Sequence, residues 1–136
     1  MSIKHKVVTG YAKMWPREVF DIKEGKRLLD SIRQLLSEPG VYVLYRDDLP
    51  YYVGKTTKPL FNRIWAHANK PKDKYYNFWN FFSAFVVPHT DHISEVEGLL
   101  IAAMPTSNSA NPKISRIDLP REVGQILHRL RRIDKE

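Results

Sequence analysis

The sequence predicts an α/β protein of the α+β kind, with a small central three-stranded antiparallel sheet flanked by helices. Three observations indicate this class. Residues 40–54 contain two short runs that are rich in β-branched and aromatic residues, on either side of a charged turn. Residues 77–87 form a third run of this kind, which ends at Pro88. Between and around these runs, apolar residues recur at helical spacing.

The first two runs are predicted to pair as a hairpin. Val41 to Tyr45 form one strand and Tyr51 to Val53 the other, and residues 46–50 supply the turn. A strand turns successive side chains to opposite faces, so Tyr42 and Tyr52 share a face only in an even register. We predict that register, with Leu44 opposite Tyr52.

Four helices are predicted. The first ends before the Ser-Glu-Pro-Gly sequence at 37–40, and the second has Pro59 in its first turn. A third helix closes at Pro105, and Leu119-Pro120 opens the last one. Their expected ranges are about 21–36, 59–69, 91–104 and 119 onward.

The composition fits one globular domain, residues 1–136, with 43% apolar and 12% aromatic residues. No segment approaches the about 18 uninterrupted apolar residues of a membrane span, so no membrane partner is expected. The N-terminus lacks the apolar region of a secretory signal, and the chain has no cysteine. These features suit a cytoplasmic protein and exclude a disulfide framework, cysteine-based zinc sites and a thiol nucleophile.

The net charge of +7 is compatible with a polyanionic partner. Its distribution is more informative, because residues 55–74 contain six basic residues and one acid, Asp73. Residues 75–110 contain no Lys or Arg and three acids. The positive charge therefore lies directly behind the hairpin.

Glu97 is the most unusual single residue. At about 100° per residue it falls inside the apolar stripe of its helix, whereas Glu95 falls on the solvent face. A carboxylate on a core-facing stripe is costly unless it is paired or binds a metal. A buried Glu–Arg pair and a metal ligand are both consistent with this position.

Arg63 and His67 are neighbours on one helix face, because they are spaced i, i+4. Both are predicted to project from the edge of the core. Tyr42 and Tyr52 are poor bases at neutral pH unless cationic neighbours or a metal favour their anions. Lys55, Arg63 and His67 are candidate neighbours, and two ordinary packed tyrosines are the alternative.

The residues after Gly54 do not have the spacing of a nucleotide-phosphate loop, which excludes nucleotide hydrolysis of that type. Asn108 and Asn111 follow the Glu97 helix in a polar loop, where turn chemistry is their default role.

Together these features resemble the GIY-YIG nuclease family. The resemblance consists of Gly-Val-Tyr at 40–42, Tyr-Val-Gly-Lys at 52–55, the Arg63/His67 pair, Glu97 on a helix and a following Asn. Val stands where the family has Ile in both halves of the motif. The resemblance covers about residues 39–112, with residues 1–38 and 113–136 as helical extensions.

The resemblance implies metal-dependent hydrolysis of DNA phosphodiester bonds, with one Mg²⁺ or Mn²⁺ ion held by Glu97. Arg63 would neutralise the phosphoryl charge, and either Tyr42 or Tyr52 would take the proton of the attacking water. His67 would hydrogen-bond to a tyrosine or relay its proton. Lys55 would lower a tyrosine pKa or contact phosphate, and Asn108 or Asn111 would orient the Glu97 region. We expect Arg63, His67 and Glu97 to open onto the face that carries both tyrosines.

The expected partner is double-stranded or branched DNA. Restriction-type members of the family act as dimers, so a homodimer is left open as a further partner. The alternative function is a nucleic-acid-binding module that retains the fold and does not cleave. The predicted DNA contacts are Gly54, Lys55, Lys58, Arg63, Lys70, Lys72, Lys113 and Arg116.

Overall fold

A four-stranded antiparallel sheet forms the centre of the molecule. The computed structural model describes residues 6–21, 26–106, 108, 112 and 114–134. The strands lie in the order β1-β4-β2-β3. Their bounds are β1 Gly10–Pro16, β2 Gly40–Arg46, β3 Leu49–Thr56 and β4 Phe81–Val86.

The α+β class is confirmed, but the predicted count of three strands is wrong. The additional strand, β1, pairs with β4. Its register shifts between Ala12 and Trp15, and this irregularity breaks the alternation of period two by which a strand is recognised in a sequence. Trp15 and Pro16, which have the sequence character of a loop, form the end of this strand.

Four α-helices pack around or follow the sheet, and their ends lie within about five residues of the predicted ends. Part of the predicted start of α1, residues 22–25, lies outside the described residues. In the part of the chain that the structure describes, every helix is too short or too polar to span a lipid bilayer. The helix bounds are α1 Lys26–Leu35, α2 Leu60–Asn69, α3 Ile93–Ala103 and α4 Arg121–Asp134.

The hairpin β2–β3 has the predicted even register, because Leu44 lies opposite Tyr52. Its turn is tighter than the predicted five residues and contains only residues 47–48. Asp47 has a φ of 58°, a left-handed conformation that Asp tolerates better than most residues. Pro50 lies within β3, which is the edge strand, and an edge strand tolerates a proline.

The two faces of the sheet carry separate cores. Helix α2 packs on the face of Tyr42 and Leu44, through Leu60 and Ile64. Helix α3 packs on the other face, and its Ile93 belongs to a cluster with the valines of β2 and β3. Residues of the two cores alternate along β2, so successive side chains pack against α2 and α3 in turn.

Gly40 is placed where no larger residue fits. A Cβ atom on Gly40 would lie 2.0 Å from the carbonyl oxygen of Phe85 on the paired strand β4. We expect Gly40→Ala to lower the free energy of unfolding by at least about 1–3 kcal/mol, because backbone atoms would have to move apart. Urea denaturation measures this change. Gly10→Ala is the matched control, because its Cβ would make only an ordinary contact at 4.0 Å. Equal stability of the two variants would contradict the close approach of β2 and β4.

Candidate active site

The buried centre of the candidate site is a chain of three hydrogen-bonded side chains. The Tyr42 hydroxyl lies 2.8 Å from Nε2 of His67, and Nδ1 of His67 lies 2.7 Å from Oδ1 of Asp73. His67 is fully buried, and Tyr42 is 1% exposed. The same Asp73 oxygen accepts the backbone N–H of Tyr75 at 2.9 Å, which fixes the carboxylate.

The charges of this chain follow from its surroundings. Burial acts to raise the pKa of Asp73, but the hydrogen bonds from His67 and the Tyr75 N–H lower it below its usual value. Asp73 is therefore an ionised acceptor, and His67 carries its proton on Nδ1. Nε2 then accepts the Tyr42 O–H. Burial lowers the pKa of His67, and the hydrogen bond to Asp73 opposes this only in part, so the ring is neutral at pH 7.

Acidification should destabilise the protein because it protonates His67 and, at lower pH, Asp73. In the unfolded chain His67 has a pKa of about 6.5, and in the folded protein its pKa is lower. The contribution of neutral His67 to the free energy of unfolding is therefore fully present above about pH 6.5, and it is lost as the pH falls through the pKa of His67 in the folded protein. Asp73 acts in the same direction at lower pH, because its pKa is also lowered by folding.

We expect the thermal midpoint to fall between pH 7.5 and pH 5.0, and the fall to be smaller in His67→Gln. Calorimetry at several pH values measures both. His89→Gln is the control, because His89 is exposed. A thermal midpoint that rises on acidification, or one that falls equally in wild type and His67→Gln, would contradict the assignment of His67 as a neutral buried imidazole.

Both tyrosines are neutral phenols. Burial raises the pKa of Tyr42, and burial together with the neighbouring Tyr75 phenol raises the pKa of Tyr52. Arg63 lowers both pKa values, but by less than burial raises them. Arg63 is therefore one of the candidate cationic neighbours, but burial outweighs its effect on both phenols, as expected for tyrosines packed in the core.

Gly54 makes room for Tyr42. A Cβ on Gly54 would lie 2.3 Å from the Tyr42 hydroxyl oxygen, and Gly54 is itself buried. The close approach at this glycine is therefore made by the phenol of the neighbouring strand. This burial does not fit the predicted contact between Gly54 and DNA.

Glu97 lies where helix α3 meets the edge strand. Its side chain is 16% exposed, whereas Glu95 is on the exposed face, as the helical stripe predicts. Lys55 reaches across from β3, with Nζ 3.6 Å from Oε1 of Glu97 and 3.1 Å from the Ser94 hydroxyl. This ion pair is longer than the about 2.7–2.9 Å of a charge-assisted hydrogen bond, and the Glu97 side chain keeps some contact with solvent. Lys55 therefore lies beside Glu97.

The prediction that Glu97 opens onto the face of the sheet that carries Tyr42 and Tyr52 is wrong, because Glu97 lies on the helix that covers the opposite face. Helix α3 packs against the valine face, whereas α2, which carries Arg63 and His67, packs on the tyrosine face. Glu97 pairs with Lys55 of β3, which is an edge strand of the sheet. The Glu97 charge acts to raise the pKa of Tyr52, and the Arg63 charge acts to lower it.

The donor set fits one hydrated divalent cation. Within the described residues, no cluster of three or more His, Cys, Asp or Glu side chains could hold a metal. A single partly exposed carboxylate, completed by water and substrate phosphate, is a common way of holding Mg²⁺. Glu97 meets that description.

The Asn108 side-chain amide hydrogen-bonds to the free edge of β3. Its Oδ1 accepts the Val53 N–H and its Nδ2 donates to the Val53 carbonyl, both at 2.8 Å. The amide thus pairs with the strand as a further strand would, and it stabilises β3 between Tyr52 and Gly54. Asn111, the other candidate, lies outside the described residues.

The predicted DNA contacts differ in their surroundings. Lys58, Lys70 and Lys72 are exposed near α2 and the segment that follows it. Arg116 is 89% exposed and pairs with Asp118 at 2.9 Å. Lys113 lies outside the described residues.

The sequence did not identify Asp73, Ser94 or Tyr75 as site residues. Asp73 is the only acid within the basic segment 55–74, and this isolation is the one signal that marks it. Tyr75 stacks on Tyr52, with ring centroids 4.2 Å apart. Ser94 and Tyr75 carry no comparable sequence signal, because their contacts depend on the tertiary fold.

Comparison with solved structures finds the GIY-YIG N-terminal endonuclease domain of UvrC from Thermotoga maritima. Two point mutants of that domain, each with a tyrosine replaced by phenylalanine, were solved with the catalytic divalent cation bound. The first is 26% identical with a TM-score of 0.43, and the second is 25% identical with a TM-score of 0.44. Each match covers 54% of this chain and 89% of that domain. No protein-family model and no curated protein matches this chain.

Proposed function

We propose that this protein is a metal-dependent endonuclease that hydrolyses DNA phosphodiester bonds with a GIY-YIG-type site. The arrangement that supports this most strongly is the hydrogen-bonded chain Tyr42–His67–Asp73, with Arg63 on the same helix as His67 and the Lys55–Glu97 pair at the edge strand β3. A cation, a carboxylate and a hydroxyl at one exposed strand edge supply the three functions that phosphodiester hydrolysis requires. These are charge neutralisation, metal binding and orientation of water.

Arg63 is the group that would bind the scissile phosphate. It is exposed on α2, so a phosphate can reach it, and its guanidinium keeps its charge at all working pH values. Its planar set of donors matches the oxygens of a phosphate in two parallel hydrogen bonds. Arg63 would therefore fix the phosphate and stabilise the charge that develops on it.

Tyr52 is the better candidate for the residue that meets the attacking water. Tyr42 is 1% exposed and donates its hydroxyl proton to His67, whereas Tyr52 is only half-buried at the strand edge. Because its raised pKa keeps it protonated, Tyr52 would first orient the water as a hydrogen-bond partner. Tyr42, His67 and Asp73 would act as positioning residues beneath it.

Glu97 would hold Mg²⁺ or Mn²⁺. When bound, such an ion polarises the phosphate and lowers the pKa of water. Lys55 would hold the free carboxylate in place through its partly exposed ion pair. Asn108 would keep the strand between Tyr52 and Lys55 straight, so that both side chains keep their positions.

The test is an incubation of the protein with supercoiled, nicked and branched DNA in Mg²⁺, Mn²⁺ or EDTA. We expect cleavage in either metal and none in EDTA. Binding to these DNAs without cleavage under every metal condition would overturn the enzyme and favour a module that binds nucleic acid only.

A further inference from the structure

A row of aromatic rings leads from the candidate active site to the protein surface. Tyr52 stacks on Tyr75 at 4.2 Å, and Tyr75 meets Tyr51 edge-on at 6.3 Å. Tyr51 then stacks on Phe78, with centroids 5.6 Å apart and planes within 3°. Phe78 is 46% exposed, so part of its ring is open to solvent. We call these four residues the aromatic row.

A β-bulge makes the row possible. Tyr51 and Tyr52 are consecutive in β3, and in a regular strand their side chains would lie on opposite faces. The register shifts at this point, since Leu44 pairs with Tyr52 but Tyr45 pairs with Pro50. The bulge therefore turns both tyrosine rings toward Tyr75. Bulges of this kind often re-aim a side chain beside an active site.

The charges around the row suit a polyanion. Lys74 lies with its Nζ 5.5 Å from the Tyr75 ring centroid, and Lys70 and Lys72 are exposed in the same segment. The acid of this segment, Asp73, is turned inward to His67 and is only 11% exposed. Lysines beside exposed aromatic faces are the combination with which proteins bind single-stranded nucleic acid.

We propose that the aromatic row stacks unpaired DNA bases, so that the substrate carries a single-stranded segment next to the scissile phosphate. This inference rests on the proposed function, because the inner end of the row is the Tyr52 of the nuclease site. A strand that leaves the site would place its next bases along Tyr75 and Tyr51 and against the open face of Phe78. DNA that is branched or frayed at the cut offers such bases, and an intact duplex does not.

The test measures binding in EDTA, where cleavage plays no part. The probes are a single-stranded oligodeoxynucleotide that contains 2-aminopurine and a duplex of the same length, followed by fluorescence. We expect Phe78→Ala to weaken single-strand binding by about tenfold, because one base loses its stacking contact, and to leave duplex binding unchanged. It should also abolish the quenching of 2-aminopurine that stacking produces.

Tyr11→Ala is the matched control. Tyr11 is 72% exposed and stacks on Phe85 at 6.4 Å, but it lies on β1, the other edge strand of the sheet. Phe78→Tyr should bind like the wild type, because it keeps the ring. Equal effects of Phe78→Ala and Tyr11→Ala would overturn the proposal, and so would an equal loss on the duplex. A loss seen only with an RNA oligonucleotide of the same sequence would overturn DNA as the ligand.

The outcomes separate this inference from the proposed function. Cleavage of branched DNA by a protein in which Phe78→Ala changes nothing would leave the nuclease intact and overturn the row as a binding site. Ring-dependent binding of single strands by a protein that never cleaves would support the row and overturn the nuclease.

Discussion

Glu97→Gln is expected to lower the rate of DNA cleavage by about a thousandfold, because a bound metal ion contributes several kcal/mol of charge stabilisation. Gln keeps the shape of the side chain but removes the charge that would hold a divalent cation. The fold should persist, since a partly exposed ion pair contributes at most about 1 kcal/mol. Single-turnover cleavage in Mg²⁺ measures the rate, and thermal unfolding checks the fold.

Glu95→Gln is the matched control on the same helix. Glu95 faces solvent, so its replacement removes the same charge from α3 without touching the site. We expect wild-type cleavage from this variant. Calorimetric titration with Mn²⁺ should show binding to Glu95→Gln and none to Glu97→Gln. A cleaving Glu97→Gln protein would contradict the assignment of the metal to this carboxylate.

Arg63→Ala is expected to lower the cleavage rate by about 10²–10³-fold, which is the usual cost of removing a donor to a developing oxyanion. Arg63 also lowers the pKa of Tyr42 and Tyr52, so its loss should keep both phenols protonated to higher pH. Arg63→Lys should recover only part of the rate, because an ammonium cannot bind a phosphate through two parallel donors. Steady-state kinetics on an oligonucleotide substrate measure all three proteins.

Arg33→Ala provides the comparison for Arg63. Arg33 lies on α1, is 58% exposed and pairs with Asp30. Its removal takes one positive charge from a different helix of the protein. A similar fall in rate for both variants would mean that overall charge, rather than a specific phosphate contact, explains the effect.

The shared face of Tyr42 and Leu44 and the helix stripe were predictable because each follows from a short local period. The pairing of Leu44 with Tyr52 was predicted from the requirement that both tyrosines face one site, and the structure has that register. Helical periodicity likewise separated Glu97 from the exposed Glu95. These are properties of single elements, which a linear sequence records directly.

The remaining errors concern relations between elements. Strand β1 was missed because its bulge breaks the alternation between Ala12 and Trp15. Glu97 was placed on the wrong face because periodicity gives the side of a helix but does not say which face of the sheet that helix covers. Asp73 lies in a loop six residues after His67, and nothing local indicates that it turns inward to the imidazole.

The measurement that most directly tests metal-dependent hydrolysis at this site is a cleavage time course on labelled branched DNA, with wild-type protein and Glu97→Gln in parallel. Mg²⁺ is present at the start, EDTA is added midway, and excess Mg²⁺ is restored at the end. We expect wild-type cleavage to stop with EDTA and to resume with Mg²⁺, and Glu97→Gln to show no cleavage at any stage. Cleavage that continues through EDTA, or equal cleavage by both proteins, would rule out metal-dependent hydrolysis at Glu97.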